Sequence, residues 1–245
     1  PITRQIRHRA LANPKRVVFA DAENYKMLKA AEFVLNQKSA YPVLLGDEKI
    51  IKALIQQHEL DIPNPEVIDP RSPAEDDRRK QFAKLLFEKQ NRKGITNYTA
   101  LDKMLHRNYF APMLVETGFA DAMVSGLTNN YPDAIKPAIE VIGIKPQANL
   151  VSGMYIINTK SGPLFFADCT VNKEPTSEQL VEITLQTAFA VTQFNVIPRV
   201  AMVTYSNFGS NKGRIPDKVA EAVRILHRDY PKLIVDGEIQ ADVAL

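Results

Sequence analysis

Short apolar runs alternate with longer amphipathic stretches through most of this chain, and that alternation restricts the fold more than any other feature. Arg16–Ala20 reads as a buried strand, followed by Asp21-Ala-Glu-Asn24 and a helix with Met27, Leu28, Ala31, Val34 and Leu35 on one face. Pro42–Leu45 is a second strand, closed by Gly46-Asp47, and a helix over 49–57 follows. Residues 61–75 hold four of the 16 prolines and read as a loop around a short strand at Val67-Ile68. Pro73 opens a charged helix to about Gln90, which Asn91-Arg-Lys-Gly94 breaks. Helices are expected over 99–107 and 110–117, a third strand over Ala122–Ser125, and a helix over 133–142 containing Pro137.

The period changes near Pro146. Residues 150–158 and 163–168 read as a hairpin joined at Lys160-Ser-Gly162. A long helix over 176–194 begins with the capping pattern Thr176-Ser-Glu-Gln. Residues 200–204 form a strand, 206–213 a polar loop, 216–230 a helix, and Leu233-Ile-Val a last apolar run. Strand–helix alternation with one embedded hairpin predicts an α/β protein with a mostly parallel sheet. We expect two lobes, residues 1–146 and 147–245.

Composition narrows the class. Over 245 residues the formal net charge is +3, which gives no argument for a nucleic-acid partner. No apolar run reaches membrane-spanning length and no signal peptide is visible, so no membrane partner is expected. A single cysteine cannot close an internal disulfide, and a cytoplasmic location is expected. The chain starts at Pro1 and stops after a polar strand end, so both ends are expected to be cuts in a longer polypeptide.

Four polar constellations could carry chemistry. Ser125-Gly126-Leu-Thr128 runs from a strand into a helix, where free backbone N–H groups and the helix dipole suit an anion, with Lys136 adding a point charge. An ordinary capped surface turn gives the same pattern. Ser206-Asn207-Phe-Gly209-Ser210-Asn-Lys212 suits phosphate equally well, but matches neither a Walker loop nor a dinucleotide fingerprint; a flexible connection is the alternative. Cys169 follows a strand and reads as a buried structural thiol rather than a nucleophile, since no activating partner can be named. Asp236, Glu238, Gln240 and Asp242 share one face if extended, fit for a metal or a hydrogen-bonded substrate, or simply a capped turn. The four histidines show no metal-ligand spacing and read as surface residues.

Together these segments resemble the phosphate acetyl/butyryltransferase family. Ala120–Gly126 resembles its "ADxxVSG" strand, and Asp133–Gly143 the helix that follows. Phe166–Cys169, Val171-Asn172 and Thr176–Leu180 resemble "FADCAVNxxPTxEQL", and Pro198–Met202 and Asp236-Gly the later strands. Within that family, Pro14–Ala20, Ser206–Ser210 and Asp236–Leu245 look like the acetyltransferase-like C-terminal domain of multidomain NADP-dependent malic enzymes. The resemblance implies two α/β lobes with a cleft, isocitrate-dehydrogenase-like, and at least a homodimer. It also implies a regulatory domain binding acetyl-CoA or a related acyl-CoA as effector. NADP and a divalent metal would belong to an absent dehydrogenase portion.

In this reading Ser206, Asn207, Gly209, Ser210 and Lys212 contact the phosphates or pantetheine arm of CoA, and Ser125, Gly126, Thr128 and Lys136 line the acyl-phosphate end. No residue is assigned as catalytic. Lys136 stands where the family carries arginine, Asn129, Asn130 and Tyr131 replace hydroxyl and histidine positions, and Arg92 matches a family arginine loosely. The family's serine–arginine pair and aspartate base would fall beyond residue 245. The competing readings are an active phosphate acetyltransferase, moving acetyl between acetyl phosphate and CoA, and a domain that only holds an oligomer together.

Overall fold

The computed structural model describes residues 2–245 and divides them into two compact units. One spans Arg7–Gly143. The other comprises Ile144–Leu245 with the first residues of the chain.

The larger unit is built on a four-stranded parallel sheet. Its strands are β1 (Lys15–Phe19), β2 (Ala40–Leu45), β3 (Glu66–Ile68) and β4 (Ala122–Val124), in the order β3-β2-β1-β4. Helix α1 (Ile2–Ala12) precedes them; its residues are mostly exposed, and the sequence pattern did not mark it. Helices α2 (Tyr25–Asn36) and α3 (Glu48–Gln57) form the crossovers β1–β2 and β2–β3. Asn24 and Asp47 cap them by accepting backbone N–H groups of the first turn. Four helices separate β3 from β4 or follow it: α4 (Asp76–Gln90), α5 (Asn97–Lys103), α6 (Arg107–Glu116) and α7 (Tyr131–Val141).

Strand pleating sorts the core into two layers. Val18, Ala20, Val43 and Leu45 face the side packed by Phe82, Leu86, Met104, Phe110 and Leu114. Phe19 and Leu44 face the side packed by Met27, Leu28, Ala31 and Ile51. Both faces are therefore covered, which is why these strands read as unbroken apolar runs. Each fully buried Leu or Phe contributes about 1.5–3 kcal/mol.

The second unit carries a hairpin, β5 (Tyr155–Thr159) with β6 (Gly162–Phe166), and a parallel pair, β7 (Arg199–Val203) with β8 (Ile234–Ile239). Helix α9 (Arg214–Asp229) packs on the parallel pair, and α8 (Ser177–Thr192) packs against α9 and reaches β7 through Thr184 and Met202. Val219, Ala222, Val223 and Leu226 of α9 meet Val181, Met202 and Val235 in its core. Thr176 and Gln179 form the anticipated capping box.

Two segments depart from the sequence expectation. The hairpin starts five residues later than expected, because side chains satisfy the backbone of residues 150–153: Gln186 Nε2 donates to Leu150 O, Asn172 Nδ2 to Val151 O, and Gly153 N to Asp168 Oδ1. After Ile239 the chain turns into α10 (Ala241–Ala244), so Asp236, Glu238, Gln240 and Asp242 do not share an extended face. Among the described residues no helix is long and apolar enough to cross a membrane.

Candidate functional site

In the larger unit, β1 lies between β2 and β4, and the chain reverses its direction of winding there. Ligand crevices of open α/β sheets form outside the carboxyl ends of strands at such a switch point. Asp21, just past β1, and the turn Ser125–Asn129, just past β4, meet at this place. Asp21 is 1% exposed. Its Oδ2 accepts the backbone N–H of Gly126 and of Leu127, both at 3.0 Å, and its Oδ1 accepts the Thr128 hydroxyl at 2.6 Å. Arg107 of α6 donates to Thr128 Oγ1 at 2.8 Å, with Nη2 3.4 Å from Asp21 and Nη1 3.4 Å from Glu23. The amides expected to greet an anion thus already hold one, supplied by the chain itself. Ser125 Oγ is the hydroxyl of this turn that is buried with no hydrogen-bond partner.

Lys136 lies on α7, exposed, with Nζ 3.8 Å from Glu140 Oε1. Glu140 also accepts the Tyr109 hydroxyl at 2.7 Å and lies 3.7 Å from Lys103. Burial, and then the hydrogen bond to Glu140, push the Tyr109 hydroxyl well above its ordinary pKa. Arg92 sits in the 3-10 turn Asn91–Lys93 that follows α4, on the exposed side.

In the second unit the structure gathers Ser206, Asn207, Gly209 and Ser210 around the end of β8. Ser206 is fully buried; its hydroxyl bonds Glu238 Oε1 at 3.0 Å and accepts the N–H of Asn211 at 3.1 Å. Gly209 N–H donates to the same Glu238 oxygen at 2.6 Å, and Asn207 N–H to Ser210 Oγ at 2.9 Å. Gly209's N–H, opposed by burial, holds the Glu238 carboxyl below the usual range, with the Ser206 hydroxyl adding to it. Lys212 is exposed on the same loop. The loop, for which a flexible connection was the alternative to a phosphate-binding turn, is cross-linked by hydrogen bonds from Ser206 to Asn211.

Cys169 is exposed, which corrects the expectation of a buried structural thiol. The turn folds around its neighbour. Asp168 accepts the N–H groups of Gly153, Thr170, Val171 and Asn172 and the Asn172 side chain. Burial alone would raise the Asp168 pKa, but these donors together hold it below its ordinary value.

A cavity of about 560 Å³, lined by Leu185, Phe189, Pro198, Tyr230 and Leu233, opens at the amino ends of β7 and β8. That is the opposite end of these strands from the Ser206–Lys212 loop, so it takes no part in the polar site. Among the described residues no cluster of His, Cys, Asp and Glu could hold a metal ion.

Two of the residues that organise these sites, Asp21 and Arg107, were not singled out as site residues by pattern, whereas Glu238 stood among the candidates for a metal or a hydrogen-bonded substrate. Asp21 and Glu238 do follow apolar strand runs, the one sequence signal available. Arg107 carries no signal, because its role depends on α6 lying beside the β4 turn.

Parallel strands with polar turns at their carboxyl ends, one embedded hairpin and two units define a protein of phosphotransacetylase architecture. A phosphotransacetylase from Streptococcus pyogenes superposes with a TM-score of 0.86 at 29% identity, covering 100% of this chain and 74% of that one. The model of the phosphate acetyl/butaryl transferase family matches residues 1–245, and the chain belongs to that family. It is 35% identical to a phosphate acetyltransferase of Clostridium acetobutylicum, over 96% of this chain and 72% of that protein. It is 33% identical to a phosphate acetyltransferase of Helicobacter pylori over 99% of this chain, which spans only 46% of that longer protein.

These names overturn the expectation of a malic-enzyme regulatory domain, and with it the oxidoreductase and NADP assignments. Of the segments that suggested that branch, Ser206–Ser210 and the residues after Asp236 are bonded to one another through Glu238 at the end of β8.

Proposed function

We propose that this protein transfers an acetyl group between acetyl phosphate and CoA. The observation that carries this reading is the family match along the whole chain, with relatives named phosphate acetyltransferase at 33% and 35% identity. In the reaction the CoA sulfur, as thiolate, attacks the acetyl carbonyl. The carbon–sulfur bond forms, the carbon–oxygen bond to phosphate breaks, and phosphate leaves with the electron pair. Donors placed where negative charge develops lower the barrier.

We assign the Ser206, Asn207, Gly209, Ser210 and Lys212 loop to the phosphates and pantetheine arm of CoA. Its cross-linked geometry supports this, since a fixed loop binds with less ordering cost than a mobile one. Ser125, Thr128 and Lys136 are assigned to the acyl-phosphate end. Gly126 contributes there through backbone shape, because its N–H is already engaged. Lysine at 136 meets phosphate as a point charge, without the bidentate geometry of arginine.

A homodimer or higher oligomer belongs to the same reading. Tyr155, Ile157 and Phe166 of the hairpin and Phe189 of α8 are exposed apolar residues, of the kind enriched at interfaces. An exposed free thiol at Cys169 fits a reducing cytoplasm.

The test is acetyl phosphate-dependent thioester formation by the full-length protein, followed by absorbance, with light scattering for assembly. Saturation in both substrates supports the transfer. CoA bound in calorimetry without any thioester formed would reject it.

A further inference from the structure

Asp21 is a buried carboxylate that the transfer chemistry above does not use. Burying a charge is costly unless donors surround it, and here they do. Besides Gly126 N, Leu127 N and Thr128 Oγ1, Asn129 Nδ2 lies 3.4 Å from Oδ1, and Arg107 Nη2 lies at the same distance. Four of these five donors come from consecutive residues, 126 to 129, more than a hundred positions from Asp21 in the chain. The backbone is shaped for it. Gly126 has φ +104°, outside the range that side-chain-bearing residues adopt at low cost. Ala20 N–H donates to Val124 O at 3.0 Å, which extends the β1–β4 ladder to the residue before Asp21 and fixes its approach.

We propose that Asp21 is the positioning residue of the transfer site: it fills the amide cradle of the Ser125–Asn129 turn as a built-in anion. The turn then offers the unpartnered Ser125 hydroxyl and, oriented by Thr128, the Arg107 guanidinium, rather than free amides, to the acyl phosphate. Arg107 keeps 29% of its side chain exposed while clamped between Asp21, Glu23 and Thr128. The inference rests on the transfer reading for its kinetic part and on geometry alone for the cradle.

Two variants of the full-length protein test it. In Asp21→Asn, isosteric with the native residue, one acceptor oxygen becomes an NH2 group that points its own hydrogens at donors. The KM for acetyl phosphate should rise roughly tenfold, the effect of about one lost charge-assisted hydrogen bond, while the KM for CoA stays put. Amide exchange at Gly126 and Leu127 should accelerate in the same variant. A fall in kcat that merely tracks the folded fraction, with both KM values unchanged, overturns the positioning role.

In Asp21→Ala the emptied cradle should take formate, so formate should raise the melting temperature of this variant and not of the native protein. Equal responses of the two, or unchanged amide exchange in Asp21→Asn, overturn the filled cradle. The exchange and formate measurements need no turnover. A native protein without acetyl transfer would therefore sink the functional reading while these two still decide the cradle, and the Asp21→Asn exchange decides it even where Asp21→Ala does not fold.

Discussion

Asn207 and Gln240 bond reciprocally across 33 positions of the chain: Asn207 Nδ2 donates to Gln240 Oε1 at 2.9 Å, and Gln240 N–H donates to Asn207 Oδ1 at 2.7 Å. Gln240 Nε2 also reaches Tyr205 O at 2.8 Å. Together with Glu238, this pair turns the residues after β7 and those after β8 into one polar platform. The Asn207 side chain is held at both its polar atoms by Gln240, and the Gln240 side chain by Asn207 and Tyr205 O. Urea denaturation of Asn207→Ala, Gln240→Ala and the double variant should give a coupling of about 0.5–3 kcal/mol. Strict additivity would show that the pair holds nothing.

Gly237 should not tolerate a side chain. Its φ is +138°, and a Cβ would fall 2.6 Å from Met202 O of the neighbouring strand, where the β7–β8 register shifts. Gly237→Ala should destabilise the protein by at least about 1–3 kcal/mol, and more if β7 cannot move aside. A melting temperature equal to the native value would contradict this close approach.

Removing the Ser206 hydroxyl takes one donor from the buried Glu238 carboxylate and the acceptor from the Asn211 N–H. Ser206→Ala should cost about 1–3 kcal/mol. The KM for CoA should rise with it, because the same loop carries Lys212. Chemical denaturation and substrate kinetics read the two effects separately.

Acid should unfold the protein through specific carboxylates. Asp168 and Glu238 are both held below their ordinary pKa values of 3.8 and 4.5 in the folded state. A depressed folded-state pKa adds stability that is fully present above the unfolded value and lost as pH falls through the folded one. Stability should therefore be flat above pH 4.5 with respect to these groups and fall below it. Asp168→Asn and Glu238→Gln should flatten that acid limb in melts run across pH. An unchanged limb in both would place the acid sensitivity elsewhere.

Lys212 and Lys136 are exposed, so their loss should leave stability within about 0.5 kcal/mol. Lys212→Ala should raise the KM for CoA and weaken its dependence on salt, as expected when a phosphate contact disappears. Lys136→Arg should lower the KM for acetyl phosphate, since a guanidinium meets phosphate with two parallel donors. If Lys136→Arg changes nothing, the acyl phosphate lies away from α7.

Much of the fold could be read in advance because strand and helix periods are local properties. Val17-Val-Phe and Val43-Leu-Leu are apolar on consecutive positions because both faces of β1 and β2 are covered. The capping box at Thr176 and the turn at Lys160-Ser161 follow from chemistry within four residues. The hairpin start did not follow, since the backbone of residues 150–153 is satisfied by Gln186, Asn172 and Asp168, each brought there by folding. Cys169 was misplaced for a related reason: its neighbour Asp168 draws in the backbone N–H groups, and the thiol is left outside.

The site divides the same way. Sequence alone determined where polar turns would follow apolar strands, which put Ser125–Thr128 and Ser206–Lys212 at carboxyl ends. It also carried the family resemblance. Only tertiary structure decided which partners those turns would find. Asp21 reaches the Gly126 amide because β1 and β4 are neighbours in the sheet, although 105 positions separate them. Glu238 reaches Gly209 because β7 and β8 pair. A buried carboxylate is stable only where several donors converge on it, and convergence depends on which strands lie side by side, which no local pattern encodes.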